Sequence, residues 1–201
     1  EISNPKYKKT VKSISYAPYF ISLVIMVGML FTIFNQESGV VNNIREALGM
    51  ERKAYMLDPN WYSTIYVFSG LWQSIGWGSI LYISTLAGVN IELHEAAALD
   101  GASRWKRIIH INLPAIRPII SIQLLMSLGG IFGVGFEKAF LMMTDGNVTR
   151  SEIISTFVYK VTLNSSRPQY SFGTAVGLFN SVINLVLLIL ANTTAKKFGE
   201  T

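Results

Sequence analysis

The chain has 201 residues, of which 50% are hydrophobic and only 14% are charged, with a formal net charge of +5 and a mean hydropathy of +0.38. Soluble domains carry about 25% charged residues, so this composition argues against a soluble protein and indicates one that lies in a bilayer. The absence of cysteine excludes disulfides and thiolate metal sites, and basic residues clustered at the ends of apolar segments argue against a nucleic-acid-binding face.

The first apolar segment covers residues 15–34 and follows a polar start that contains four lysines. Its length of about 20 residues matches a hydrocarbon core roughly 30 Å thick, so we expect one membrane span. Pro18 should lie in the first turn of this span, where a missing N–H does little harm. The connection that follows contains residues 40–48, whose apolar spacing predicts a helix along a surface. This stretch is either a solvated connector or a surface helix that meets an external partner.

Three further apolar segments predict membrane spans, at residues 61–89, 115–136 and 171–194. The second segment is too long for one straight perpendicular crossing, so we expect it to be tilted or broken near residues 76–78. Glycines in the third segment, including Gly130 and Gly133, favour close helix packing over a bend. The connection between the last two segments contains a helical stretch at residues 153–163 that is too short to cross a bilayer.

A polar, charge-bearing stretch at residues 95–118 separates the second and third segments. Residues 91–99 are good helix formers, and Gly101 should end this helix because glycine adopts the left-handed conformation easily. Ser103 should cap a second helix, which we expect to end at Pro114. Alanines on the first helix allow another protein to approach closely. The stretch therefore has the form of a docking element.

Several residues of this stretch stand in a fixed order, and they are Glu95, Ala96, Ala97, Asp100, Gly101, Ala102, Leu113, Pro114, Arg117 and Pro118. Their order resembles the EAA loop of ATP-binding-cassette (ABC) importer permeases. In that family the loop, here residues 89–114, is cytoplasmic, and its helix couples to a cleft of the ATPase subunit. The resemblance implies an ATPase-coupling site formed by Glu95, Ala96, Ala97, Asp100, Gly101, Ala102, Leu113 and Pro114. The alternative is an ordinary cytoplasmic linker whose acids cap helices.

Polar residues within the apolar segments recur at helical spacing, which is typical of a water-filled path or of interhelical hydrogen bonding. The candidate substrate-path residues are Gln73, Trp77, Gln123, Ser127, Asn180 and Asn184. Amides and aromatic rings together suit a sugar, which needs hydrogen bonds for its hydroxyls and an aromatic surface for its C–H face. For any single one of these residues, plain packing between helices is the competing interpretation.

Over almost its whole length the chain resembles the maltose-type oligosaccharide permeases, especially members that serve aldouronate-like or polysaccharide-derived sugars. The resembling stretches are residues 18–22, 76–78, 135–137 and 170–177. The resemblance implies an all-α, polytopic transmembrane bundle that shows four spans of a six-span permease. It implies one permease domain over residues 1–201, incomplete at its N-terminus. It also implies a pair of ATPase subunits, a second related permease, an external substrate-binding protein and a sugar substrate.

Four spans put both termini and the loop at residues 89–114 on one side of the membrane. Most of the 17 lysines and arginines lie on that side, in short connections, which predicts that it is cytoplasmic. We therefore expect a multi-pass protein of the bacterial inner membrane. No catalytic motif or metal-ligand spacing is present in the sequence, so we expect no enzyme and no bound cofactor, with ATP and Mg²⁺ on the partner ATPase. The alternatives are a permease for another solute class, or a secondary transporter or channel.

Overall fold

The computed structural model describes residues 5–129 and 135–199, and every regular element in those two ranges is a helix. The helices are α1 Pro5–Tyr16, α2 Leu23–Ile33, α3 Val40–Ala47, α4 Pro59–Ala87, α5 Ile91–Leu99, α6 Arg104–Arg107, α7 Leu113–Gly129, α8 Phe136–Met142, α9 Val148–Ser151, α10 Ile154–Thr162 and α11 Tyr170–Gly199. The backbone contacts divide the chain into two compact units. One comprises Glu1–Gly76 and Gly133–Leu178, and the other Trp77–Phe132 and Phe179–Thr201. The single permease domain over residues 1–201 stays a prediction.

The first apolar segment is not one continuous helix. A short 3₁₀ turn, Ala17–Phe20, follows α1, and the chain bends by 99° before α2 begins. Pro18 lies inside this turn and fixes its backbone φ, while the hydroxyl of Ser22 caps α2 by accepting a hydrogen bond from Ile25 N at 3.4 Å. The expectation of a single helix over residues 15–34 with Pro18 in its first turn is therefore wrong, because proline and a strong N-cap together start a new helix.

Helix α4 is continuous through the three residues where a break was expected. Its 29 residues span about 43 Å, which exceeds the roughly 30 Å of a hydrocarbon core. Gly76 does not bend the helix but allows another backbone segment to pack closely against it. A Cβ at this position would lie 1.8 Å from the carbonyl oxygen of Ser15. The glycine lets the backbones of α4 and α1 touch.

The core of the first unit lies where α2, α4 and α8 pack together. Its buried members are Met26, Val27, Tyr55, Met56, Tyr62, Ile65 and Met142. The helices predicted within residues 40–48 and 153–163 are present as α3 and α10, and both end within one residue of the expected positions.

Among the described residues, two helices are each long and apolar enough to cross a bilayer, Arg104–Ser127 and Tyr170–Leu190. Two bent pairs, Lys9–Phe20 with Leu23–Ile33 and Pro59–Ala87 with Ile91–Leu99, raise this to four if each pair counts as one span. With both pairs counted, the number equals the number of apolar segments in the sequence. The expectation for Gly130 and Gly133 lies outside the described residues.

Candidate functional site

The loop after α4 begins with helix α5, whose N-terminus and C-terminus are capped in different ways. At the start of α5, the side-chain oxygen of Asn90 accepts a hydrogen bond from Glu92 N at 3.0 Å. At its end, Gly101 N donates to the carbonyl of Ala98 at 3.1 Å, and Ala102 N donates to that of Ala97 at 2.8 Å. With Gly101 at a φ of +73°, this pair of bonds is a complete Schellman motif. The predicted glycine stop is confirmed.

The second helix of the loop starts as expected but does not end as expected. The hydroxyl of Ser103 caps α6 by accepting a hydrogen bond from Lys106 N at 3.4 Å. The helix then passes through a π-helical turn, Ile108–Asn112, and continues as α7, so the predicted end at Leu113 and Pro114 is wrong. A proline lacks a donor and crowds the carbonyl four residues earlier, and the wider π turn just before Pro114 accommodates both effects.

The coupling-loop residues predicted from the sequence divide by exposure. Glu95, Ala96, Asp100, Gly101, Leu113 and Pro114 are exposed, whereas Ala97 and Ala102 are half-buried. Glu95 and Asp100, the two acids of the motif, cap neither helix start, because Asn90 and Ser103 occupy the N-cap positions of α5 and α6. Both acids are exposed, and their role in coupling stays a prediction.

Large apolar side chains also lie on the surface of this loop, and the sequence interpretation assigned them no role. Leu99 is 90% exposed and Trp105 is 74% exposed. At the base of the loop, Leu113 and Pro114 line a shallow, mostly apolar cavity of about 360 Å³ together with Ile109, Arg117 and Ile120. Exposed leucine and tryptophan side chains, and a concave apolar surface at the base of the same loop, are typical of a protein-binding site.

The candidate path residues of the second unit include a pair of unsatisfied amides. Asn180 and Asn184 lie one turn apart on α11, and the side-chain oxygen of each is buried without a hydrogen-bond partner. A buried acceptor without a donor costs about 1–3 kcal/mol, so such a pair is suited to receive donors from a ligand or from water. On α7, Gln123 is half-buried, and the hydroxyl of Ser127 donates to the carbonyl of Leu124 at 2.9 Å.

Gln73 has a structural partner in the first unit. Its Nε2 donates to the carbonyl of Ile21 at 2.9 Å, at the bend between the 3₁₀ turn and α2. That carbonyl belongs to the residue between two helices, where no helical donor reaches it. Gln73 therefore fastens α4 to the bend, which matches the competing interpretation of interhelical hydrogen bonding. Trp77, one turn later, belongs to the second unit and is exposed.

The first unit contains a buried lysine, Lys138. Nothing in the sequence indicated its burial except its position directly after an apolar segment. Lys138 Nζ donates to the carbonyl of Tyr66 at 2.7 Å and lies 4.5 Å from the centre of the Tyr66 ring. A Cβ at Gly70 would be 3.0 Å from the same nitrogen, so this glycine leaves room for the ammonium group. Burial lowers the pKa of Lys138 to about 8.

A family model described as "Binding-protein-dependent transport system inner membrane component" matches residues 2–199. Two proteins of Bacillus subtilis (strain 168) are similar over 200 residues. They are Protein LplB, at 37% identity, and the polygalacturonan/rhamnogalacturonan transport system permease protein YteP, at 36%. Each match covers 100% of this chain but only 62% of the relative. The chain thus spans less than two thirds of their length.

Solved structures give the same result for the fold. The chain is similar to a bacterial ABC transporter involved in the import of the acidic polysaccharide alginate, with 37% identity and a TM-score of 0.93 over 98% of this chain and 68% of the other. It is also similar to a bacterial alginate ABC transporter in complex with alginate pentasaccharide-bound periplasmic protein. There the identity is 37% and the TM-score 0.94, over 100% and 69% of the two chains. The predicted all-α transmembrane fold class is confirmed.

Proposed function

The chain belongs to the family of binding-protein-dependent transport system inner membrane components, and on that premise we propose that it forms part of the permease of an ABC importer for an oligosaccharide. The observation that carries the proposal is the loop between α4 and α7. An exposed helix is joined by a fixed glycine turn to a second helix that continues as the 24-residue helix Arg104–Ser127. A subunit that receives movement from a soluble ATPase needs such a rigid connection.

In this mechanism the exposed face of α5 binds in a cleft of the ATPase subunit. The carboxylates of Glu95 and Asp100 form charge-assisted hydrogen bonds with cationic groups of that partner. Ala96 has no bulk beyond its Cβ, so the partner can approach the α5 backbone closely. The Schellman motif at Gly101 then sets the angle between α5 and the next helix.

Movement passes from this contact into the membrane along one helix. When ATP closes the pair of ATPase subunits, α5 is displaced with them, and α6 follows because only the Gly101–Ser103 turn separates the two helices. The π turn keeps α6 and α7 joined across Pro114, so the displacement reaches α7 as a rigid-body movement. The resulting rearrangement exposes the substrate cavity to one side of the membrane and then to the other.

The partners in this proposal are two ATPase subunits, a second related permease and a periplasmic substrate-binding protein. The complex of the similar alginate transporter with a pentasaccharide-bound periplasmic protein supports the last of these. ATP and Mg²⁺ bind to the ATPase subunits, and this chain carries out no hydrolysis. The chain is a multi-pass protein of the inner membrane, with both termini and the loop at residues 89–114 on the cytoplasmic side.

We assign sugar contacts to the polar face of α11. The unpaired oxygens of Asn180 and Asn184 can accept hydrogen bonds from sugar hydroxyls, and the exposed ring of Trp77 offers a surface for a C–H face. Gln123 and Ser127, one turn apart on α7, complete the candidate path. Two of the similar proteins are named for the transport of acidic polysaccharides, alginate in one case and polygalacturonan in the other. This supports a uronate-containing oligosaccharide as the substrate.

The test is uptake by proteoliposomes that contain the full-length permease, its partner permease, the ATPase and the binding protein. We expect ATP-dependent accumulation of uronate oligosaccharides that persists when a protonophore collapses the proton gradient. Accumulation of neutral oligosaccharides alone would correct the substrate class but keep the importer. Uptake that needs no ATP and fails with the protonophore would replace the importer with a secondary transporter.

A further inference from the structure

Helix α3 is fastened to the rest of the chain through its polar side. Asn42 is fully buried. Its Nδ2 donates to the carbonyls of Asn35 and Lys53, both at 2.9 Å, and its Oδ1 accepts from Lys53 N at 2.8 Å. One amide thus joins α3 to the chain before it and to the chain after it, and satisfies its own hydrogen-bonding groups in doing so.

The apolar side of α3 is turned away from the chain. Val40, Ile44 and Leu48 recur at intervals of four residues and form a stripe opposite Asn42. They are 59%, 57% and 68% exposed. A surface helix of a soluble protein has the reverse arrangement, with its apolar stripe packed inward. Buried hydrogen bonds on the opposite side of the helix hold this apolar stripe outward. We therefore expect lipid or another protein to bury it.

Aromatic contacts place α3 level with the ends of two membrane helices. The guanidinium of Arg45 lies 5.9 Å from the centre of the Tyr55 ring. Tyr55 packs edge-to-face on Trp61 in the first turn of α4, with ring centres 5.0 Å apart. It also contacts Phe34, directly after α2, in a tilted arrangement with ring centres 5.5 Å apart. Aromatic side chains at the ends of membrane helices concentrate at the headgroup level of a bilayer. The stripe therefore lies at the depth where the apolar surface of the spans meets the headgroups.

We propose that α3 is an interfacial helix whose stripe, Val40, Ile44 and Leu48, is buried at the boundary between headgroups and acyl chains. The connection around it is close to neutral, because two of its cations are paired, Arg52 with Glu46 at 2.6 Å and Lys53 with Asp58 at 2.9 Å. Burial of apolar area, and not attraction to anionic lipid, then holds the helix in place. The helix fixes the depth of the adjoining ends of α2 and α4.

Residues 1–201 contain no cysteine, so once any cysteine elsewhere in the full-length permease is replaced by serine, one introduced cysteine carries one fluorescent label. The label is placed at Ile44→Cys or Leu48→Cys in the full-length permease, assembled with its partners in lipid nanodiscs. Glu51→Cys is the matched control, because Glu51 is exposed in the same connection but lies off the stripe. Quenching is compared between lipids brominated near the glycerol end of the acyl chain and a water-soluble quencher.

We expect the labels at positions 44 and 48 to lose most of their fluorescence to brominated lipid, and the label at position 51 to lose it only to the aqueous quencher. Zwitterionic and anionic nanodiscs should give the same result. Aqueous quenching of all three labels would overturn the proposal. Protection from both quenchers would overturn it in favour of a partner permease, and protection that requires the binding protein would overturn it in favour of a docking site for that protein.

Discussion

Substitution of Gly101 can test whether the turn after α5 is needed for coupling, separately from any general loss of stability. The φ of Gly101 is +73°, and a Cβ at this position would meet no atom within 4 Å. Replacement by alanine therefore introduces no clash, and the remaining cost is that of a left-handed backbone, about 1–2 kcal/mol. Gly49, after α3, has a φ of +76° and equally open surroundings, so Gly49→Ala is a matched control.

We expect both alanine variants to lower the free energy of unfolding by the same amount, about 1–2 kcal/mol, because the backbone cost is the same. Only Gly101→Ala should reduce ATPase activity stimulated by the loaded binding protein. A cost of 1 kcal/mol corresponds to about a fivefold change in an equilibrium constant, which sets the size of the effect if the turn must form for coupling. Gly101→Pro should abolish stimulation, since proline cannot adopt a positive φ and removes the N–H that bonds Ala98.

The assay uses the reconstituted complex of full-length permease, partner permease, ATPase and binding protein, with assembly checked by co-purification. Thermal unfolding in detergent gives the stability comparison. Equal stimulation in Gly49→Ala and Gly101→Ala, together with wild-type stimulation in Gly101→Pro, would refute a coupling role for the turn. Loss of assembly in Gly101→Pro alone would make the loop a docking site that need not transmit movement.

Three further predictions follow from the described contacts. Leu99→Ala and Trp105→Ala should each weaken ATPase binding by about 2 kcal/mol, more than tenfold in dissociation constant, because both side chains are exposed apolar anchors. Asn180→Leu with Asn184→Leu should retain or raise thermal stability while abolishing sugar uptake, since the replacement removes two buried acceptors without donors. Lys138 has a folded-state pKa of about 8, below its ordinary value of 10.5, so between these values the unfolded chain binds more protons. Wild-type stability should therefore rise with pH through this window, and Lys138→Met should remove the rise.

Each of these three has an outcome that contradicts it. Unchanged ATPase retention in Leu99→Ala and Trp105→Ala would leave these side chains with no part in the contact. A double asparagine variant that unfolds at lower temperature would assign the amides to packing between helices and away from the substrate. A melting temperature of Lys138→Met that keeps the wild-type dependence on pH would show that other groups cause that dependence.

Local signals in the sequence predicted the helices and the turn of residues 91–107 well, because their structure is determined locally. Helix formers between Ile91 and Leu99, a glycine that accepts a positive φ and a serine N-cap act within a few residues. The end of the second helix was mispredicted because the prediction used local signals alone. Proline is a local stop signal, but a π turn before Pro114 changes the hydrogen-bond register, and no residue preference announces that change.

Other features depend on contacts between distant residues, which periodicity does not reveal. The sequence pattern placed an amphipathic helix at residues 40–48, yet the direction of its apolar stripe depends on the bonds of Asn42 to Asn35 and Lys53. Gln73 looked like a path residue from its polarity and spacing. Its bond to Ile21, 52 positions earlier in the chain, becomes visible only in the structure. The role of the asparagines on α11 stays a prediction.

The central claim is that the surface of α5 contacts the ATPase subunit, and crosslinking from Leu99→Cys tests it most directly. Leu99 is 90% exposed, and residues 1–201 contain no cysteine, so only cysteines elsewhere in the full-length permease need to be replaced by serine. In the assembled transporter, a short photoreactive crosslinker at this position should capture the ATPase subunit, and the same reagent at Glu51→Cys should not. Failure of Leu99→Cys to capture the ATPase in a complex that assembles and hydrolyses ATP would contradict the account.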